Sequence, residues 1–178
     1  MVNDFRDFAK TPTPQLKPVS INTLTSEILG LYEGSPLRTK LDPNCPEIMG
    51  DPTQLRQVIH NLLQNAQDAC EAKGELTAEA QVRIRTELNG SGNRVRLSVS
   101  DTGPGFEPNI LKRAFEPYVT TKAKGTGLGL AVVKKIADEH RARIELSNLV
   151  QDGEIKGAQV SLSFALETKM GNLNRPDY

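Results

Sequence analysis

From Gln81 to Leu88 the chain alternates apolar and polar residues, reading Gln-Val-Arg-Ile-Arg-Thr-Glu-Leu. That period of two predicts a half-buried strand. Asn89-Gly-Ser-Gly-Asn93 reads as a hairpin loop, and Arg94 to Ser100 as the returning strand. Arg143–Ser147 and Ala158–Phe164 alternate in the same way and are joined by a glycine-containing turn. Elsewhere the period is helical. Ile21, Leu24, Ile28 and Leu31 share one face of a helix that Ser20 can cap and that runs to about Tyr32. Leu55, Val58, Ile59, Leu62, Ala66 and Ala69 share the face of a longer helix. Asp51 suits its N-cap, Pro52 its first turn, and Gln54 the return arm of a capping box. That helix is expected to end near Ala72, before Gly74.

A third helix is expected over 127–140, with a short one near Ile110–Ala114. Leu37–Leu41 reads as a short strand and Asp42–Pro46 as a turn. Val2, Phe5, Phe8 and Ala9 have helical spacing over too few residues to be stable alone, so 1–10 reads as the end of a longer helix. The prolines of Thr11–Pro18 predict an extended linker over 11–18, and the polar residues of 167–178 predict a frayed tail. The remainder, 19–166, forms one domain. Its fold class is α/β in the α+β sense: a two-layer sandwich, with helices on one face of a mixed, largely antiparallel sheet.

Composition narrows the field. The chain has 178 residues, with Lys plus Arg at 22 and Asp plus Glu at 22. The balance gives no overall footprint for nucleic acid, and no apolar run is long enough for a spanning helix. Cys45 and Cys70 fall in no paired motif and read as free thiols. Tryptophan is absent, which argues against stacking platforms for single strands.

The chemistry concentrates between Asp101 and Leu130. An apolar strand runs into Asp101-Thr-Gly-Pro-Gly-Phe, and a helix runs out of Gly125-Thr-Gly-Leu-Gly-Leu130. Glycines that open a helix offer free N–H groups and the positive end of the helix dipole to an anion. This is not the G-x4-G-K-[ST] phosphate loop. Nor is it the dinucleotide fingerprint, because Leu130 stands where a third glycine belongs. Asn61, Asn65 and Asp68 line one edge of the long helix at i, i+4 and i+7. Asparagine is a mediocre helix former, so two beside an apolar face call for a reason.

Five motifs resemble, in order and spacing, the N, G1, F, G2 and G3 boxes of sensor histidine kinase ATP-binding domains. They are Asn61-Leu-Leu-Gln-Asn65-Ala, Asp101-x-Gly103-x-Gly105, Phe115-Glu-Pro-Tyr-x-Thr-Thr-Lys122, Gly125-Thr-Gly-Leu-Gly-Leu130 and Gly157. The likeness is greatest to the nitrogen-regulation kinases (NtrY/NtrB-like). It implies the Bergerat fold of the gyrase, chaperone, kinase and MutL superfamily. It implies ATP and Mg2+ as ligands and transfer of the γ-phosphoryl group to a histidine on a separate dimerisation domain. Residues 1–10 resemble the end of that domain's second helix. In the roles it implies, Asp101 accepts from the adenine amino group, with Gly103 and Gly105 beside the base. Asn65 gives an oxygen to Mg2+, and Asn61 borders the metal and phosphates. Thr121 and Lys122 meet phosphate, and Gly125, Gly127, Leu128, Gly129 and Leu130 form the cradle. Residues 106–126 are the lid, over which Phe115 folds. Asp68 is either a supporting partner or a plain polar position.

The implied partners are ATP, the kinase's own dimerisation domain and, through the full-length kinase, a response regulator, with no nucleic acid. The parent is expected to be a homodimer. The domain itself is expected in the cytoplasm, whether or not the parent is anchored in the inner membrane. Two other readings are a related ATPase that drives its own closure and a non-catalytic ATP-sensing module. Such ATPases carry a water-activating glutamate where Asn61 stands. One position departs from the pattern: two glycines usually follow the histidine that ends the G2 helix, and here Arg141 and Ala142 stand there. His140 reads as a helix C-terminal cap and His60 as a surface or domain contact.

Overall fold

In the computed structural model the described residues are 12–35, 37–72, 81–117, 119 and 129–167. The elements are β1 (Lys17–Val19), α1 (Ile21–Leu29) with a following 3-10 turn (Gly30–Tyr32), β2 (Leu37–Lys40), β3 (Ile48–Gly50) and α2 (Pro52–Ala72). After them come β4 (Val82–Leu88), β5 (Arg94–Asp101), α3 (Pro108–Arg113), α4 (Gly129–Glu139), β6 (Arg143–Gln151) and β7 (Glu154–Ala165).

The main sheet has five strands in the order β2-β4-β5-β7-β6. Only β2 and β4 run parallel; the other neighbours are antiparallel. Alternation decides the faces. Val82, Ile84, Val95, Leu97, Val99, Val160, Leu162 and Phe164 are buried beneath the helices. The inward face of α2 supplies Leu55, Val58, Ile59, Leu62, Leu63 and Ala66, and α4 supplies Val132, Val133, Ile136 and Ala137. Each large aliphatic side chain buried this way contributes roughly 1.5–3 kcal/mol. The two-layer sandwich expected from the sequence is therefore observed.

Two differences are local. Lys17–Val19, inside the segment read as a linker, pairs antiparallel with Ile48–Gly50 to make a separate two-stranded ribbon. The last hairpin is also longer than its alternation predicts. β6 continues to Gln151, past Ser147, and turns through Asp152 and Gly153, both with positive φ (53° and 78°). Two adjacent residues of that kind make the tight turn that matches strand twist.

The cap of α2 forms as expected on one side. Asp51 Oδ1 accepts from the N–H groups of Thr53 (3.0 Å) and Gln54 (3.2 Å). Its other oxygen accepts from Gln15 N–H at 2.9 Å. Burial raises the Asp51 carboxyl, but the N–H groups of Gln15, Gln54 and Thr53 and the nearby His140 outweigh it and hold it below its ordinary value. The return arm expected from Gln54 is not made. Its Nε2 donates to the Pro12 carbonyl at 2.9 Å. The Asp51 N–H donates instead to His140 Nε2 at 3.0 Å, while His140 Nδ1 donates to the Ile136 carbonyl at 2.7 Å. A side chain from the end of α4 thus completes the start of α2. His140 does more than cap its own helix.

The exit of α4 shows how the missing glycines are handled. Arg141 takes the left-handed conformation, φ 52°. Its N–H donates to the Asp138 carbonyl (3.0 Å) and the Ala142 N–H to that of Ala137 (2.8 Å). These are the paired bonds of a Schellman ending, built without glycine. A side chain in this conformation costs roughly 1–2 kcal/mol, offset in part by glycine's greater entropy loss of roughly 0.5–1 kcal/mol. Arg141→Gly is expected to raise stability by about 0.5–1 kcal/mol in urea unfolding. A destabilised variant would show that the arginine side chain contributes a contact outweighing that strain.

Candidate functional site

The site collects at the open end of β5, under the half-buried edge of α2. Asp101 closes β5 and is 9% exposed. Its Oδ1 accepts from the Gly103 N–H at 2.8 Å and from the Ala158 N–H of β7 at 3.3 Å. A carboxylate fixed by backbone donors has a set direction and costs little to reorganise.

Three glycines let the backbone close around it. A Cβ on Gly157 would lie 1.8 Å from the Asp101 carbonyl oxygen. One on Gly103 would lie 2.7 Å from the Ala69 carbonyl oxygen of α2. Gly105 has φ 77°, and a Cβ there would come within 2.9 Å of Asn148 Oδ1. So Gly103 sits against α2, Gly105 against β6, and Gly157 against the end of β5.

The residues after Gly105 are anchored by a side chain that the motifs do not name. Asn148 Oδ1 accepts from the Phe106 N–H at 2.7 Å, and Asn148 Nδ2 donates to the Phe106 carbonyl at 2.8 Å. An amide can pair with one residue's main chain in this two-point way because it carries both a donor and an acceptor. A signal for it was present in the sequence. The inward positions of β6 run Ile144, Leu146, Asn148, so a polar residue stands where alternation calls for an apolar one. Thr102 has a similar supporting part: its hydroxyl accepts from the Gln81 N–H at 3.0 Å and ties the end of β5 to the start of β4.

Asn61, Asn65 and Asp68 lie half-buried along one edge of α2. A Cβ on Gly129, the first residue of α4, would lie 3.5 Å from the Asn65 amide. The N motif and the end of the last glycine motif are thereby brought together. Asp68 Oδ1 accepts from Gln64 Nε2 at 3.0 Å, one turn earlier on the same helix. Leu130 is half-buried and packs against the core. Phe115 is half-buried just after α3. Thr121, Lys122, Gly125, Gly127 and Leu128 lie outside the described residues, as does most of the expected lid beyond Pro117. Among the described residues no three His, Cys, Asp or Glu side chains cluster to hold a metal. No described helix is long and apolar enough to cross a membrane.

Comparison with known proteins agrees with this geometry. Residues 50–168 match the family described as histidine kinase-, DNA gyrase B- and HSP90-like ATPase. An NtrY-like sensor histidine kinase of Rickettsia bellii is 32% identical over 176 residues, covering 94% of this chain and 26% of the relative. The sensor histidine kinase ZraS of Escherichia coli O157:H7 is 36% identical over 168 residues, covering 91% of this chain and 34% of ZraS. Full-length ShkA, solved in complex with AMPPNP, superposes with a TM-score of 0.74 at 29% identity, over 93% of this chain and 35% of ShkA. The chain spans between a quarter and about a third of the length of these curated relatives. The chain therefore belongs to the histidine kinase-, DNA gyrase B- and HSP90-like ATPase family, as a catalytic domain of the sensor histidine kinase kind.

Proposed function

We propose that this domain holds Mg-ATP and presents its γ-phosphoryl group to a histidine on a separate dimerisation domain of the parent kinase. The observation that carries the reading is Asp101, buried at the strand end with its carboxylate aimed by the Gly103 and Ala158 N–H groups. A carboxylate only accepts hydrogen bonds, so it suits the adenine amino group and opposes guanine, whose O6 is also an acceptor. The AMPPNP complex of ShkA supports a nucleotide at this kind of site.

Asn65 suits Mg2+ because a carboxamide oxygen is a hard ligand, and its amide lies at the start of α4. Mg2+, when bound, neutralises phosphate charge. Asn61 borders the phosphates and, being an amide, takes no proton at neutral pH; this disfavours water activation and hence the self-closing ATPase. Lys122, Thr121, Gly125, Gly127 and Leu128 complete the phosphate side of the proposal, with Gly129 and Leu130 opening α4. Residues 1–10 and 11–18 are assigned as the end of a dimerisation helix and its linker, 19–166 as the catalytic domain and 167–178 as a tail. The parent is proposed as a homodimer that serves a response regulator, with this domain in the cytoplasm.

The chain alone is expected to bind Mg-ATP without labelling itself. His60 Nδ1 is engaged by the Tyr32 hydroxyl at 2.8 Å. Both nitrogens of His140 are engaged, by Asp51 and Ile136. Neither is placed as an acceptor. Adding a dimerisation domain as a separate chain is expected to give slow, concentration-dependent transfer, because a short tether supplies an effective concentration on the order of mM. Incubation with γ-labelled ATP tests this. Stoichiometric acid-labile, base-stable label on this chain alone would overturn the assignment.

A further inference from the structure

The solvent face of the five-stranded sheet carries charge that nucleotide handling does not use. Its composition follows from strand alternation, because the residues between the buried ones face outward. Arg38 and Lys40 of β2 stand in register with Arg83 and Arg85 of β4. Toward the other end of the face, Arg96 of β5 and Arg143 of β6 flank the same β7 residue, Ser163. Arg94 lies two residues from Arg96 on β5. The carboxylates on this face, Glu87 and Glu145, are spent on Arg85 (2.7 Å) and Arg96 (4.0 Å). Equal totals of acidic and basic residues therefore conceal a strongly basic face.

A groove opens on this face, lined by Arg94, Arg96 and Arg143, by Glu87 and Glu145, and by Ser163. The Arg94 guanidinium is held in place: Nε donates to Ser163 Oγ at 2.7 Å and Nη2 to the Ser163 carbonyl at 2.6 Å. Burial, and after it the positive charge of Arg143, lower the Arg94 guanidinium from its ordinary value. The two guanidiniums thus repel across the groove, and among the described residues neither has a carboxylate partner. An anion seated between them removes that repulsion, and the forked geometry of arginine matches a carboxylate.

We propose that this face docks an acidic polypeptide segment, lying extended in the groove with carboxylates at alternate positions. Residues on one face of a strand repeat every ~6.6–6.8 Å, and so do alternate side chains of an extended ligand. Arg94 and Arg96 thus match a Glu-x-Glu spacing, with a ligand carboxylate at Arg96 displacing Glu145, which stands 4.0 Å away. The Ser163 hydroxyl, which accepts from Arg94 Nε, keeps its hydrogen for a carbonyl of the ligand's main chain. The other polyanions fit less well. No aromatic side chain of the described strands faces outward to stack a base. Glu87 and Glu145 line the same groove, so the cationic positions there are interrupted, which suits separated carboxylates better than a phosphodiester chain charged at every residue. A concave groove does not match a flat bilayer.

The test uses the full chain and a fluorescein-labelled decapeptide alternating Glu and Ser, with a Gln-for-Glu version as control. Fluorescence anisotropy is expected to show saturable binding of the Glu peptide that weakens with salt, and none of the Gln peptide. Arg96→Glu and Arg143→Glu are each expected to weaken binding about tenfold or more. Both variants are expected to keep the parent's melting temperature and its ATP affinity, which separates this proposal from the nucleotide assignment. Arg94→Lys, which keeps the charge but loses the fork held by Ser163, should bind more weakly than the parent and more tightly than the reversed-charge variants. Absence of saturable binding by the Glu peptide, or equal binding by the reversed-charge variants, would overturn the proposal. So would preferential binding of a single-stranded oligonucleotide or of phosphatidylserine vesicles, since that would assign the face to another class of polyanion.

Discussion

Asp101→Asn is expected to weaken ATP binding by one to two orders of magnitude while leaving the fold nearly as stable. The side chain has two jobs on two oxygens. Oδ1 satisfies the buried N–H groups of Gly103 and Ala158. In the proposed complex the second oxygen accepts from the adenine amino group. Asparagine keeps an oxygen for the backbone donors and turns an amide donor toward the base. Two donors then face each other. A hydrogen bond to a charged group contributes roughly 1.5–3 kcal/mol, which is about 10- to 150-fold in Kd. Asp101→Ala is a different experiment. It strips both backbone donors of their acceptor and is expected to cost roughly 1–3 kcal/mol of stability as well. Calorimetric titration alongside thermal melting checks both. An Asn variant that binds ATP as tightly as the parent would remove Asp101 from the site.

Gly157→Ala is expected to be among the most damaging substitutions of a small residue in the chain. The added Cβ would lie 1.8 Å from the Asp101 carbonyl oxygen and 3.2 Å from Thr102 Cα. These are backbone atoms, so no rotamer change relieves the contact. Either β7 or the end of β5 must move, and the end of β5 carries the carboxylate. Overpacking typically costs roughly 1–3 kcal/mol and more when the backbone must yield. A loss of about 3 kcal/mol would lower the melting temperature by roughly 6–12 °C for a chain of this size. ATP affinity is expected to fall with it. Gly90→Ala is the matched control, because nothing lies within 4 Å of a Cβ there. It is expected to change stability by no more than about 0.5 kcal/mol. Equal effects from the two substitutions, measured by urea unfolding, would show that close approach at Gly157 is not what that glycine provides.

What could be read in advance was mostly local. α2 was legible because Asp51 and Pro52 mark its start and an unbroken helical period follows. β4 and β5 were legible because seven consecutive pairs alternate about a short loop. The ribbon of β1 and β3 was not: each strand has three residues, one contains Pro18, and neither has room to show a period. The far half of β6 was hidden because Asn148 breaks the alternation where the strand turns to holding Phe106. The help that His140 gives Asp51 joins positions 89 apart in the chain, so no window of sequence contains it. For the site, Asp101, Gly103, Gly105, Asn65 and Gly157 announced themselves as motif residues. Asn148 and Thr102 support them from outside the motifs. The basic outer face was legible in each strand's alternation, yet a balanced total charge concealed it.

The central claim is that a carboxylate fixed at the end of β5 reads the adenine edge of a bound Mg-ATP. Calorimetric titration of the same protein with Mg-ATP and with Mg-GTP tests it most directly. The two ligands share phosphates, sugar and metal, and differ where Asp101 is proposed to contact the base. The expected result is one-to-one binding of Mg-ATP, with Mg-GTP weaker by about tenfold or more, because an acceptor would face an acceptor. No detectable Mg-ATP binding, or equal affinity for the two nucleotides, would contradict it.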